Sequence, residues 1–290
     1  MKRKSIRSIM LVAIFVLWGL SLQATGAEKQ KFNGVYGTGD QSITLATGSP
    51  GALGLLKALA DPFCQANQCQ INWTKKGSGA SLKAMKAGKV DLVMVHAPAA
   101  EKNAVKEGWA TMRTLLGSNE FYIVGPKDDP ADIAGAKSAA QAYAKIAKTK
   151  STFMSRGDNS GTHKKEMAIW KTAGIKPSGK WYIITKDFMM ATLNRADKEN
   201  GYFMVDSSTW VAGKKDLSNT KVLFKGDAFL VNTYHALCQP DEATYGQAHA
   251  STFIDFVSSE KGQKIIREYG KNLYGESMYN DANYAKQYDH

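Results

Sequence analysis

Between Ser155 and Glu166 the chain reads SRGDNSGTHKKE, an arginine, an aspartate, two glycines and several hydroxyls ahead of a basic and apolar run at helical spacing. A guanidinium offers a planar fork of donors matched to an oxyanion. A Ser-Gly-Thr turn that opens a helix presents unpaired backbone N–H groups at the positive end of the helix dipole. The chemistry these residues favour is non-covalent capture of an anion. The plain alternatives are an Arg156–Asp158 ion pair and simple helix capping by Ser160. Two further Gly/Ser turns, around Thr47-Gly48-Ser49 and Gly77-Ser78-Gly79, share the pattern. The hydroxyls of Thr47, Ser49, Ser78, Ser160 and Thr162 are neutral donors, and many neutral donors with one cation, Arg156, suit a dehydrated tetrahedral dianion. Ser160 and His163 also suggest a nucleophile and its base. They are three residues apart on one helical turn, where the hydroxyl is better placed to cap the helix. No G-x-S-x-G occurs and no acid is placed to orient the imidazole, so no catalytic residue is assigned.

Each turn needs a strand before it and a helix after it. QSITLA alternates as a strand, and the following TGSPGALGLLKALADPF reads as a helix with Ser49 as N-cap, Pro50 in the first turn, and Leu53, Leu56, Ala60 and Phe63 on one face. QINWT predicts a second strand, KKGSG its turn, and ASLKAMKA a helix with Leu82 and Met85 inward, ended by Gly88; Val90 to Val95 is a buried strand. STFMS and HKKEMAIWKTAG repeat the unit, with Met167 and Trp170 inward and Gly174 closing the helix. Alternating strands and helices predict an α/β fold with mostly parallel sheets, whose ligands sit at the carboxyl ends of strands. NEFYIVGPKDDPADIAG reads as a crossover between two lobes and KVLFKGDAFLVNTYHALCQP as the return, while STFIDFVSSEKGQKIIREYG gives two helical pieces packed on the first lobe. The last twenty residues show no firm pattern.

The first residues carry Lys2, Arg3, Lys4 and Arg7, an apolar run from Ile9 to Leu22, and small residues from Ala24 to Ala27. That is the layout of a cleavable secretory signal peptide over residues 1–27; the alternative, a membrane anchor, needs about 20 apolar residues and the run is short. The mature chain is expected to start near Glu28 in the periplasm. Four of the 38 basic residues and none of the 26 acidic ones lie in the leader, so cleavage lowers the formal charge from +12 to +8. Past the leader no Lys/Arg block exceeds two residues, which argues against a nucleic-acid partner. Cys64 and Cys69, in FCQANQC, are either a small-loop disulfide or two free thiols, and Cys238 reads as a buried thiol. No His/Cys cluster has metal-ligand spacing.

SRGDNSGTHKKE followed by W and AGI resembles the signature of the periplasmic tungstate-binding proteins of ABC importers, within the phosphate-binding-protein-like superfamily. The likeness extends over LGLLKAL, GKVDLVMVHAPAAEK, FYIVGPKDDPADIAGAK, WYI, FIDFVSSEKGQKII and YGKNLYGE. It implies a two-lobed, type II periplasmic binding fold with the ligand in the interlobe cleft: lobe I over residues 28–124 and 230–290, lobe II over residues 125–229. It implies that Thr47, Gly48 and Ser49 hold oxyanion oxygens, that Ser78 contacts the ion, that Arg156 is the charged clamp, and that Ser160, Gly161 and Thr162 donate through backbone and hydroxyl. The implied cargo is tungstate, with molybdate as the second candidate, and tungsten or molybdenum enters only as the oxyanion. No cofactor is implied; the partner is a membrane permease, and the chain is expected to be a monomer. Phosphate binders carry an aspartate where this chain has His96, and that carboxylate accepts the proton of monohydrogen phosphate; its absence favours a fully ionised oxyanion. Three stretches depart from the family: Ala46-Thr47-Gly48-Ser49 replaces Thr-Thr-Thr-Ser, DFMMATL replaces a Gly-Met-Gly run, and Asp206-Ser207 replaces an Asp-Arg pair. They leave open another anion or an organic acid, with a sensing role, as the alternative.

Overall fold

The first strands follow the alternation of apolar residues: β1 (Gly34–Tyr36), β2 (Gln41–Thr47), β3 (Cys69–Lys75) and β4 (Leu92–Val95). The structure, a computed structural model, describes residues 31–289, and the leader read over residues 1–27 lies outside the described residues. β2 runs parallel to both β3 and β4, with Ile43 opposite Ile71 and Leu45 opposite Leu92. Helices α1 (Ser49–Ala52), α2 (Leu55–Asn67), α3 (Ser78–Lys86) and α4 (Pro98–Lys106) link these strands and follow the last of them. The single helix expected from Ser49 onward is cut in two. Gly48, not Ser49, is the N-cap of α1, and the chain breaks at Gly54, whose φ of +89° leaves room for the Tyr269 hydroxyl 2.4 Å from where a Cβ would sit. Tyr269 donates that hydroxyl to Leu53 O, fixing the break.

The remaining strands are β5 (Thr111–Pro126), β6 (Phe153–Ser155), β7 (Tyr182–Ile184), β8 (Tyr202–Asp206), β9 (Thr220–Phe224), β10 (Val231–Cys238) and β11 (Asn280–Asp281). The helices are α5 (Ala139–Thr149), α6 (Gly161–Thr172), α7 (Met189–Lys198), α8 (Ser207–Gly213), α9 (Gln247–Ser258) and α10 (Glu260–Glu268), with two shorter ones after them. The sheet order is β1-β3-β2-β4-β10-β5-β8-β6-β7, with β9 and β11 also on β5. β5 is far longer than the four-residue strand legible at Phe121–Val124. Its first part pairs with β10 and its last part with β8 and β9, all antiparallel. The sheet is therefore mixed rather than mostly parallel: β2, β3 and β4 form one parallel set, β6, β7 and β8 another, and the antiparallel pair β5–β10 joins them.

One apolar core gathers Leu45, Leu56, Phe63, Phe253, Val257 and Ile266 under α2, α9 and α10, as expected for the two C-terminal helical pieces. A second surrounds Tyr143, Phe153, Trp170 and Tyr202. The Trp170 ring lies 4.3 Å from Tyr143, tilted, and 5.2 Å from Phe153, edge to face, between ring centroids, so α6 is held by aromatic pairs worth about 0.5–1.5 kcal/mol each beyond area burial. Met167, expected to face inward with Trp170, is 39% exposed. The inward row of α6 is Thr162, Glu166, Ile169 and Trp170; Met167 lies about 60° beyond the Trp170 edge of that row. The last residues are ordered against β5, where Asn280 pairs with Ser118 and Asp289 meets Arg113 at 2.9 Å. Cys64, Cys69 and Cys238 are free and buried, with 3.2 Å between the first two sulfurs. No helix of the described residues is long and apolar enough to cross a membrane.

Candidate functional site

The N-termini of α3 and α6, each following the carboxyl end of a parallel-set strand, meet. A Cβ on Gly77 would lie 3.2 Å from Ser160 Cβ and 4.0 Å from Arg156 Nη2; one on Gly79 would lie 2.7 Å from Asn159 O; one on Gly161 would lie 2.4 Å from His96 Cε1. Glycine fits these points because a side chain at Gly79 would strike the Asn159 carbonyl, one at Gly161 would strike His96, and one at Gly77 would crowd Ser160. Ser78, Arg156, Ser160, Gly161 and Thr162 are thus brought together, and all five are buried.

Their hydrogen bonds differ in what they leave free. Ser78 Oγ accepts from His96 N at 3.2 Å. Ser160 Oγ caps α6 by accepting from His163 N at 3.3 Å, and His163 Nδ1 accepts from Asn159 N at 3.1 Å, so imidazole and hydroxyl do not face each other as base and nucleophile. Arg156 donates from Nε to Asp187 O at 3.1 Å and from Nη2 to Asp158 Oδ2 at 2.5 Å. Among the described residues its side-chain hydrogen bonds run from Nε and Nη2, which leaves Nη1 available. The ion pair with Asp158 exists, but the arginine side chain is 5% exposed, which makes it a buried guanidinium rather than a surface pair. Thr162 Oγ1 is buried with no hydrogen-bond partner among the described residues. A buried hydroxyl left unmatched costs about 1–3 kcal/mol, and here it stands in the first turn of a helix whose opening amides also lack intrahelical acceptors.

The first turn contributes less through its hydroxyls. Thr47 Oγ1 is committed to Met94 O at 2.8 Å. Gly48 approaches Lys76 O, 3.3 Å from where its Cβ would be. Ser49 Oγ, free of capping, donates to Asp206 Oδ2 at 3.4 Å. Ser49 lines a hollow of about 340 Å³ with Lys75, Phe188, Met189, Asn194 and Thr209.

Sequence reasoning missed the polar chain beneath the turns. His96 Nδ1 donates to Asn232 Oδ1 at 2.8 Å, Asn232 Nδ2 to Asn119 Oδ1 at 2.9 Å, and Asn119 Nδ2 to Ser208 Oγ at 3.0 Å and Asp206 Oδ1 at 3.4 Å. Asp206 further accepts from Thr209 N at 2.8 Å and from the Ser208 hydroxyl. Asn119 and Asn232 face each other across β5 and β10, so the chain crosses the strands that join the two halves. Buried asparagines inside otherwise apolar strand runs were the available signal. Desolvation pushes the His96 imidazole down to about 4, so at neutral pH the ring is uncharged. Behind α6, burial pushes the Glu166 carboxyl up to about 7 despite hydrogen bonds from Ser155, Trp170 and Tyr182. No group of His, Cys, Asp or Glu among the described residues is arranged to hold a metal ion. The arrangement can bind a small anion through a guanidinium, helix-terminal amides and hydroxyls.

Comparison with known proteins identifies the family. The chain matches the PBP superfamily domain over residues 34–261. It is 33% identical over 285 residues to the tungstate-binding protein TupA of Peptoclostridium acidaminophilum, covering 94% of this chain and 97% of the relative. It is 35% identical over 239 residues to a putative ABC transporter anion-binding protein of Haloferax volcanii, covering 80% of this chain and 70% of the relative. The solved structure described as the tungstate ABC transporter from Geobacter sulfurreducens superposes with a TM-score of 0.73 at 36% identity, covering 80% of this chain and all of that one. The chain belongs to the PBP superfamily and, within it, to the family of the TupA tungstate-binding proteins.

Proposed function

We propose that this protein captures tungstate outside the cytoplasm and delivers it to the membrane permease of an ABC importer, without chemistry on the ion. The observation that carries the reading is the buried meeting of the α3 and α6 N-termini, where Arg156 Nη1 is left available and Thr162 Oγ1 has no partner among the described residues. In this reading Ser78, Ser160, Gly161 and Thr162 donate to the oxyanion, Arg156 supplies charge, and Gly48 and Ser49 close the first side, with Thr47 holding the loop through Met94. Residues 28–124 with 230–290 form one lobe and residues 125–229 the other, and closure strips the ion of water. A fully ionised tetrahedral dianion suits a site of donors, whereas monohydrogen phosphate carries a proton that needs an acceptor; neutral His96 stands where such a carboxylate would be. Molybdate shares shape and charge and is the expected second ligand. The protein acts as a monomer, exported by cleavage near Glu28.

A thermal melt of the mature protein against tungstate concentration tests this. Binding to the folded state alone raises stability by about 2.7 kcal/mol at a hundred times the dissociation constant. A Tm that rises with tungstate and not with sulfate supports the reading, and a Tm indifferent to tungstate refutes it.

A further inference from the structure

We propose that Phe188 is a positioning residue of the oxyanion site, holding Arg156 and drawing in Lys75 as a second cation. The inference rests on the oxyanion reading above and adds Phe188 and Lys75, which that reading does not use. Lys75 Nζ lies 4.3 Å from the centroid of the Phe188 ring, and Arg156 Cζ lies 5.6 Å from the same centroid. Both distances fall within the reach of cation–π attraction, about 6 Å. The two cations come from different parts of the sheet: Lys75 ends β3 just ahead of the α3 turn, and Arg156 follows β6.

The ring's position is built rather than incidental. Phe188 is the N-cap of α7, and its carbonyl accepts from Thr192 N at 3.0 Å and Thr192 Oγ1 at 3.1 Å. The residue before it, Asp187, accepts from Arg156 Nε through its carbonyl at 3.1 Å. One short segment thus holds the guanidinium by a backbone bond and by a ring. Apolar packing does not account for the ring, which is 39% exposed while its neighbour Met189 is buried in the core.

Charge bookkeeping gives Lys75 its purpose. Asp158 already offsets Arg156, and His96 is neutral at pH 7. Lys75 has no carboxylate within ion-pair distance among the described residues. It is therefore a positive charge without a carboxylate partner, held at the same ring as the arginine. Two like charges gathered at one ring repel each other until an anion sits near both, so the ring brings together a pair that the ligand then neutralises.

The test is calorimetric titration of tungstate into wild type and the variants Phe188→Leu, Phe188→Tyr, Lys75→Gln and the double variant Phe188→Leu/Lys75→Gln, at low and high salt. Phe188→Leu keeps apolar bulk and loses the π face; it is expected to weaken binding about tenfold. Phe188→Tyr keeps the face and is expected to stay within about twofold of wild type. Lys75→Gln is expected to weaken binding and flatten its salt dependence, and the double variant to lose less than the two single losses combined. If Phe188→Leu binds as wild type does, or Phe188→Tyr loses as much as Phe188→Leu, the inference is overturned while the oxyanion reading stands. A wild-type protein that takes up no tungstate overturns both.

Discussion

Thr162→Val removes one oxygen from α6 and keeps the side chain's shape. Its two effects have opposite signs. Thr162 Oγ1 is buried without a partner among the described residues, so no protein group there offsets the cost of its desolvation. Replacing it with a methyl group relieves about 1 kcal/mol of that penalty, which raises Tm by about 2–4 °C in a domain of this size. With tungstate bound, the same hydroxyl donates to a charged oxygen, a bond worth about 1.5–3 kcal/mol, so the variant binds about 10- to 150-fold more weakly. The assay is a melt of the ligand-free protein paired with a calorimetric titration. A variant that melts lower and binds tungstate unchanged would refute the reasoning on both counts, because the hydroxyl would then serve the fold and not the ion.

Arg156→Gln is expected to weaken tungstate binding by about 3–5 kcal/mol, since it removes the buried charge and leaves Asp158 facing the anion unneutralised; adding Asp158→Asn should restore part of the loss, and titration of both variants checks it. Gly79→Ala places a methyl group 2.7 Å from Asn159 O and forces the α3 and α6 turns apart, so affinity should fall about tenfold while the better helix propensity of alanine offsets the folding cost; melting and titration separate the two. Glu166, held protonated up to about 7 from an ordinary 4.5, contributes stability that is present below pH 4.5 and lost as pH rises through 7, about 3 kcal/mol in all. His96, pushed from 6.5 to about 4, works in the opposite sense, its contribution being lost as pH falls from 6.5 through 4. Glu166→Gln should therefore melt above wild type at pH 8 and leave only the acid-side loss, which melts from pH 4.5 to 8 would show; a variant that melts below wild type at pH 8 contradicts the assignment.

What was legible in the sequence is what is local. The strand, Gly/Ser turn and helix units around Ser78 and Ser160 need only neighbouring residues, and Ser160 caps α6 as its position suggested. The α1–α2 break was not legible, because its cause is Tyr269, 216 positions away from Leu53 in sequence. Met167 was placed inward on hydrophobicity, but the inward position went to Glu166, whose carboxyl finds Ser155, Trp170 and Tyr182. The length of β5 was hidden because Thr111–Glu120 lacks a clean alternation and is held by pairing with β10. At the candidate site, Arg156 was legible from its motif, whereas Asn119, Asn232 and Asp206 meet only after β5 pairs with β10 on one side and with β8 on the other. Lys75 at the end of β3 and Phe188 at the start of α7 likewise meet only in the folded chain.

The most direct measurement is calorimetric titration of the purified mature protein with tungstate, molybdate, sulfate and phosphate. The account predicts heat from tungstate saturating at one ion per chain, heat from molybdate, and none from sulfate or phosphate. Absence of heat with tungstate, or phosphate binding as tightly as tungstate, would contradict it.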